Sequence, residues 1–74
     1  MIAEAELTHH IILSDDELAT LDQILGEELD SARGELRHAQ SPEFREYIQH
    51  RMETAERVMR NIKRAETEAE FRAM

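Results

Sequence analysis

Four histidines (His9, His10, His38 and His50) and seventeen carboxylates are the side chains of this 74-residue chain with the most obvious chemistry. Glu35-x-x-His38 has the spacing that di-iron helical bundles use to hold metal. Glu46 and His50 stand one helical turn apart, so both could reach one ion from an outer face. His9 and His10 are adjacent, and on a strand they would point to opposite sides. Glu35, His38, Glu46 and His50 are therefore the metal candidates, although His38 projects away from the apolar face of its helix, near a turn. Nucleophilic catalysis has weaker support. The serines are Ser14, Ser31 and Ser41, and two of them read as helix caps. There is no cysteine, glycine-rich phosphate loop or zinc signature. The expectation is a chain with no catalytic residue and no cofactor.

Arg51 is the most informative single residue, because it falls near the centre of an apolar stripe. Three roles suit it. Its aliphatic stem can cover core while the guanidinium reaches solvent. It can form an inward ion pair with Glu28, which lies level with it in an antiparallel hairpin, or with a carboxylate of a partner chain, and such a pair would fix register more than add stability. It can also hold an anionic ligand.

The elements that position these residues are legible. Ser14-Asp15-Asp16-Glu17 spells a capping box, bracketed by Leu13 and Leu18 at the spacing of a hydrophobic staple. Three acids in the first turn favour the positive end of the helix dipole. Helix 1 is predicted over 15–39, with its apolar face at Leu18, Leu21, Leu25, Leu29, Ala32, Leu36 and Ala39, widened by Ile24. Gly26 could admit a close helix neighbour, and it leaves open whether the helix breaks there. Ser41-Pro42-Glu43 then reads as a cap, a first-position proline and a first-turn acid. Helix 2 is predicted over 42–70. Its stripe is Phe44, Ile48, Met52, Ala55, Met59, Ile62 and Ala69, with Tyr47 and Val58 on the edges. Glu53–Arg57 and Glu56–Arg60 are expected as ion pairs one turn apart. Beyond Ile62 the stripe thins, and the tail is expected to fray or to need a neighbour. Residues 3–13 alternate apolar and polar, with most weight on THHIIL (Thr8 to Leu13), which predicts a strand or an extended arm over 1–13.

The expected fold is all-α: an antiparallel two-helix hairpin, about 40 Å long, with a short extended or β N-terminal arm. Seventy-four residues make one small domain with a thin core, and such domains usually need staples or partners. Two hairpins side by side would form a four-helix bundle. The predicted partner is thus a second copy, with a dimer core of Leu18, Leu21, Leu25, Leu29, Leu36, Phe44, Ile48, Met52, Met59 and Ile62.

Net charge is −8 and uneven. Residues 1–40 carry ten acids against Arg33 and Arg37, whereas residues 41–74 carry seven of each sign. This balance weighs against nucleic acid, whose phosphates are held by Lys and Arg. It offers an acidic face (Asp22, Glu27, Glu28 and Asp30) to a basic protein partner. The longest apolar run is Ile11-Ile12-Leu13, so no membrane span is expected. The acidic start lacks a secretory n-region, which fits the cytoplasm.

With its Leu-periodic first helix, the turn region ELRHAQSPEFREYIQHR and a second apolar helix, the segment from Leu18 to about Ile62 resembles a loose class of short bacterial helical-hairpin proteins. That likeness implies the hairpin fold and no particular activity. SPEF (Ser41 to Phe44) and the paired Glu27-Glu28 are also similar to features of the encapsulated ferritins, which hold di-iron at a subunit interface. The likeness implies a carboxylate set of Glu27, Glu28, Glu53 and Glu56. Helix 2 departs from it, reading METAERV (Met52 to Val58) with no Glu-x-x-His pair. The leading functional expectation is a non-enzymatic interaction or scaffold protein. The alternatives are an acidic regulator of a basic protein and a metal-dependent ferritin-like bundle.

Overall fold

The computed structural model describes residues 7–73, folded as two helices, α1 (Asp15–His38) and α2 (Pro42–Ala73). Both starts follow from local chemistry. The Ser14 N–H donates to Glu17 Oε1 (2.8 Å), and the Glu17 N–H donates to Ser14 Oγ (3.2 Å). Two otherwise unpaired amides are thereby satisfied by one reciprocal box. At α2, Ser41 Oγ accepts from the Phe44 N–H (3.1 Å), and Pro42 fills the first helical position, where no N–H is needed.

Between the helices lie only Ala39, Gln40 and Ser41. The Ala39 N–H donates to the Leu36 carbonyl (3.3 Å) while its backbone turns to an extended conformation. Arg45 completes the corner: its Nη1 donates to the carbonyls of Leu36 (3.1 Å) and Ala39 (3.2 Å). A cation thus covers the negative end of α1 from the first turn of α2. So short a corner forces the helices antiparallel.

The stripes face each other. Leu29, Ala32, Ile48, Ala55 and Ile62 are the buried core among the described residues, and Ala32 and Ile48 have no exposed surface. Two of the five are alanines, which suits close approach of the helix backbones. Leu18, Leu21, Leu25, Leu36, Met52 and Met59 are only half-buried, and Phe44 is 45% exposed. The predicted ten-residue core is therefore only partly closed within one hairpin. The molecule measures 50 × 36 × 16 Å, a slab about one helix thick.

Some expectations need correction. The described part of the N-terminal arm, Leu7 to Leu13, is exposed and contains no strand; residues 1–6 lie outside the described residues. A lone strand has nothing to pair with in one chain. α1 continues through Gly26, and α2 runs three residues beyond the predicted 42–70. The tail of α2 stays helical to Ala73 although every described side chain after Ile62 is exposed. Its Lys, Arg, Ala and Glu residues are good helix formers, and Thr67 Oγ1 donates back to the Lys63 carbonyl (2.9 Å). No described helix is long and apolar enough to cross a membrane.

Candidate functional site

The site with the most defined geometry is a clasp around Arg51. Arg51 projects from the third turn of α2, three residues beyond the fully buried Ile48. Glu28 and Glu35 project from α1, seven residues and two turns apart, so both lie on one side of that helix. The antiparallel register brings all three together. Nε and Nη2 of Arg51 donate to Glu28 at 2.9 and 3.0 Å, while Nη1 and Nη2 donate to Glu35 at 3.0 and 3.2 Å. Each carboxylate is held by two parallel bonds, the strongest geometry open to this pair of groups. The guanidinium also lies over the Tyr47 ring, with Cζ 5.5 Å from the ring centre. Tyr47 in turn stacks on Phe44, with ring centres 6.2 Å apart.

The electrostatics follow from these contacts. Hydrogen bonds from Arg51 hold the Glu28 carboxyl below its ordinary range; partial burial opposes this, and the attraction of the positive charge adds to it. The hydrogen bonds of Glu28 and then Glu35 push Arg51 further above its already high value. Two carboxylates meet one guanidinium, so the clasp carries a formal net charge of −1. With side-chain exposures of 23% for Arg51, 35% for Glu28 and 38% for Glu35, the clasp is half-buried and remains screened by water.

This geometry narrows what Arg51 can do. Four of the five N–H bonds of its guanidinium are committed to carboxylates. A phosphate or carboxylate ligand would have to displace Glu28 or Glu35. Of the three roles read from sequence, the structure adopts the ion pair with Glu28 and adds Glu35 to it. The clasp sets register, because sliding one helix by a residue would break both bidentate pairs.

The metal candidates are not brought together. Glu35 is committed to Arg51, while His38, Glu46 and His50 are exposed. Among the described residues, no three His, Cys, Asp or Glu side chains converge on a point that could hold an ion. The ferritin-like set fares similarly: Glu28 belongs to the clasp, and Glu27 pairs with Gln23 (3.4 Å) on its own helix. On the acidic face, Asp30 meets Arg33 (3.4 Å) at the surface, Asp22 is half-buried, and Glu27 is exposed. The two expected ion pairs on α2 are absent among the described residues. Arg57 instead donates to Thr54 Oγ1 (3.3 Å), within its own helix.

Sequence reasoning missed two contributors. Glu35 was weighed only as a metal ligand, although its spacing from Glu28 marks it as a second carboxylate on the same face. Arg45, at the corner, left no pattern except its proximity to the end of α1. No protein-family model matches this chain, and no curated protein or solved structure shows significant similarity to it.

Proposed function

We propose that this chain is a non-enzymatic, cytoplasmic interaction or scaffold protein that works as a homodimeric four-helix bundle. One observation carries the reading: among the described residues the hairpin closes a core of only five buried side chains and leaves Leu13, Ile24, Phe44 and Tyr47 substantially exposed. A core this thin rarely supports a domain of 74 residues alone. Pairing two slabs would cover apolar side chains that one hairpin leaves open, such as Ile24 and Tyr47. The best-formed polar cluster supports the same role, since it sets helix register and its donors are spent on carboxylates. Light scattering behind size exclusion, with and without chelator, tests the proposal. A dimer indifferent to chelator is expected. A monomer at micromolar concentration would refute it, and an assembly that dissolves on chelation would favour the metal-dependent bundle.

A second reading is supported by the acids of α1. Asp22, Glu27 and Asp30 make no ion pair with α2 among the described residues. They offer carboxylates to a basic protein partner. Capture of such a partner would have to weaken with salt and be lost when the three residues are changed to Asn, Gln and Asn.

A further inference from the structure

We infer that the clasp face of the hairpin is the surface on which a second copy docks, with the open ends of the two hairpins together so that α1 of each lies against α2 of the other. This rests on the bundle reading above and adds the face and the orientation.

The face is defined by spacing around the clasp. On α1, the side that carries Glu28 and Glu35 continues toward the open end as Ile24, Leu21 and Glu17, at steps of four, three and four residues. On α2, the side that carries Arg51 continues as Thr54 and Val58 in one direction and as Tyr47 in the other. Arg51 joins the two lines. Leu25, Glu28, Arg51 and Val58 line one open groove of about 350 Å³ there. Two large exposed apolar side chains lie on this side: Ile24 is 54% exposed and Tyr47 56%. The opposite face carries Leu36, Met52 and Met59, already half-buried within one chain.

Charge selects the occupant and its orientation. Residues 15–30 contain seven acids and no base, whereas residues 57–64 contain four bases and no acid. The two segments lie at the same end of the hairpin, yet no ion pair joins them among the described residues. Two hairpins can stack face to face about a two-fold axis in two ways. An axis across the helices sets α1 on the partner's α1 with the open ends apart, so the acidic segment never meets the basic one. An axis along the helices sets α1 on the partner's α2, antiparallel and at the same level, so that the acidic segment meets the basic one twice. A second copy thus supplies both the apolar cover and the opposite charge.

The chain has no cysteine, so Glu68→Cys gives a single labelling site near the open end. The first measurement is mass: about 17 kDa is expected, twice 8.7 kDa. The second is the spin-label distance between copies. With open ends together, neighbours at helix spacings of 8–10 Å put the labels within roughly 30 Å. With ends opposed, the 26 residues from Pro42 separate them by roughly 40 Å or more. Ile24→Glu should lower the dimer fraction at least tenfold while far-UV circular dichroism stays helical. Arg57→Glu with Arg64→Glu should weaken the dimer at low salt and matter less at 1 M salt. A monomeric wild type would overturn both the bundle reading and this inference. A dimer with the long distance would overturn the orientation alone, and a dimer indifferent to Ile24→Glu would overturn the choice of face.

Discussion

Ile48 is the largest fully buried side chain of the hairpin, and its truncation tests whether the stripes pack as described. Ile48→Ala removes three carbons from a site with no exposed surface. At about 0.8 kcal/mol for each buried carbon, the transfer loss alone is about 2.4 kcal/mol. The cavity left between two straight helices adds to this, so a cost of about 3–4 kcal/mol is expected. A domain of this size holds only about 3–5 kcal/mol in its core, so the variant should be largely unfolded near 25 °C. Ile48→Val, which keeps the branched shape, should cost about 1 kcal/mol. Phe71→Ala serves as the control: its ring is 74% exposed, and the change should move stability by less than about 0.5 kcal/mol. The assay is urea unfolding followed by far-UV circular dichroism at several protein concentrations. If Ile48→Ala unfolds within about 0.5 kcal/mol of wild type, Ile48 is not in the core and the assigned helix register is wrong.

Other perturbations probe the cap, the clasp and the glycines. Ser14→Ala should cost about 1 kcal/mol by leaving the Glu17 amide without its acceptor, read as a lower urea midpoint. Arg51→Ala should lower the melting temperature more than Glu28→Gln does, because it leaves two carboxylates facing each other; equal melting curves for Arg51→Ala and wild type would refute the clasp. Glu28 is depressed when folded, so its stabilising effect is complete above its ordinary value of 4.5 and is lost as pH falls through the lowered one. Arg51 is raised, so its effect would be lost only above the ordinary arginine range, and a Glu28→Gln subtraction should show loss on the acid side alone. Gly26→Ala should stabilise by about 1 kcal/mol, since an added Cβ meets nothing within 4 Å and the site is mid-helix; because Gly26 lies off the clasp face, the dimer mass should not change.

The legible parts of this fold were those whose cause is local. Ser14 with Glu17, and Ser41 with Pro42, each settle a helix start within four residues, so no tertiary information was required. The core stripe was nearly as clear, because Leu29, Ala32, Ile48, Ala55 and Ile62 repeat at helical steps. Phe44 shares that stripe yet stays 45% exposed. Its level lies where α1 is already ending, so periodicity names its face but not whether anything stands opposite. The pairing of Arg51 with Glu28 could be read because a three-residue corner fixes the register. The ion pairs expected on α2 failed for an energetic reason. An exposed pair one turn apart gains only a few tenths of a kcal/mol, too little to override a competing hydroxyl such as that of Thr54. Thr8 to Leu13 forms no strand within one chain, because alternation states which partner a segment could use, and a single chain supplies none.

The clasp and the thin core are parts of one solution. A stripe of leucine and alanine at helical steps slides easily, since a shift of three or four residues returns similar side chains to similar places. A hairpin built only of such stripes would populate several registers of comparable free energy. The short corner limits the slip near Ser41 but constrains the far end less, because α2 is 32 residues long. Arg51, held by Glu28 and Glu35, pins the register ten residues into α2, where the corner's control is already fading. Both carboxylates are needed: with one, the long arginine side chain could follow a shifted partner, whereas two fixed forks two turns apart accept the guanidinium in one position. The clasp also lies beside the exposed apolar side chains of Ile24 and Tyr47. Any hairpin that docks there must match a fixed pattern of charge as well as a greasy surface. The cluster therefore contributes less through net stability, which half-exposed ion pairs supply sparingly, than through excluding the wrong alignments that so repetitive a core would otherwise allow.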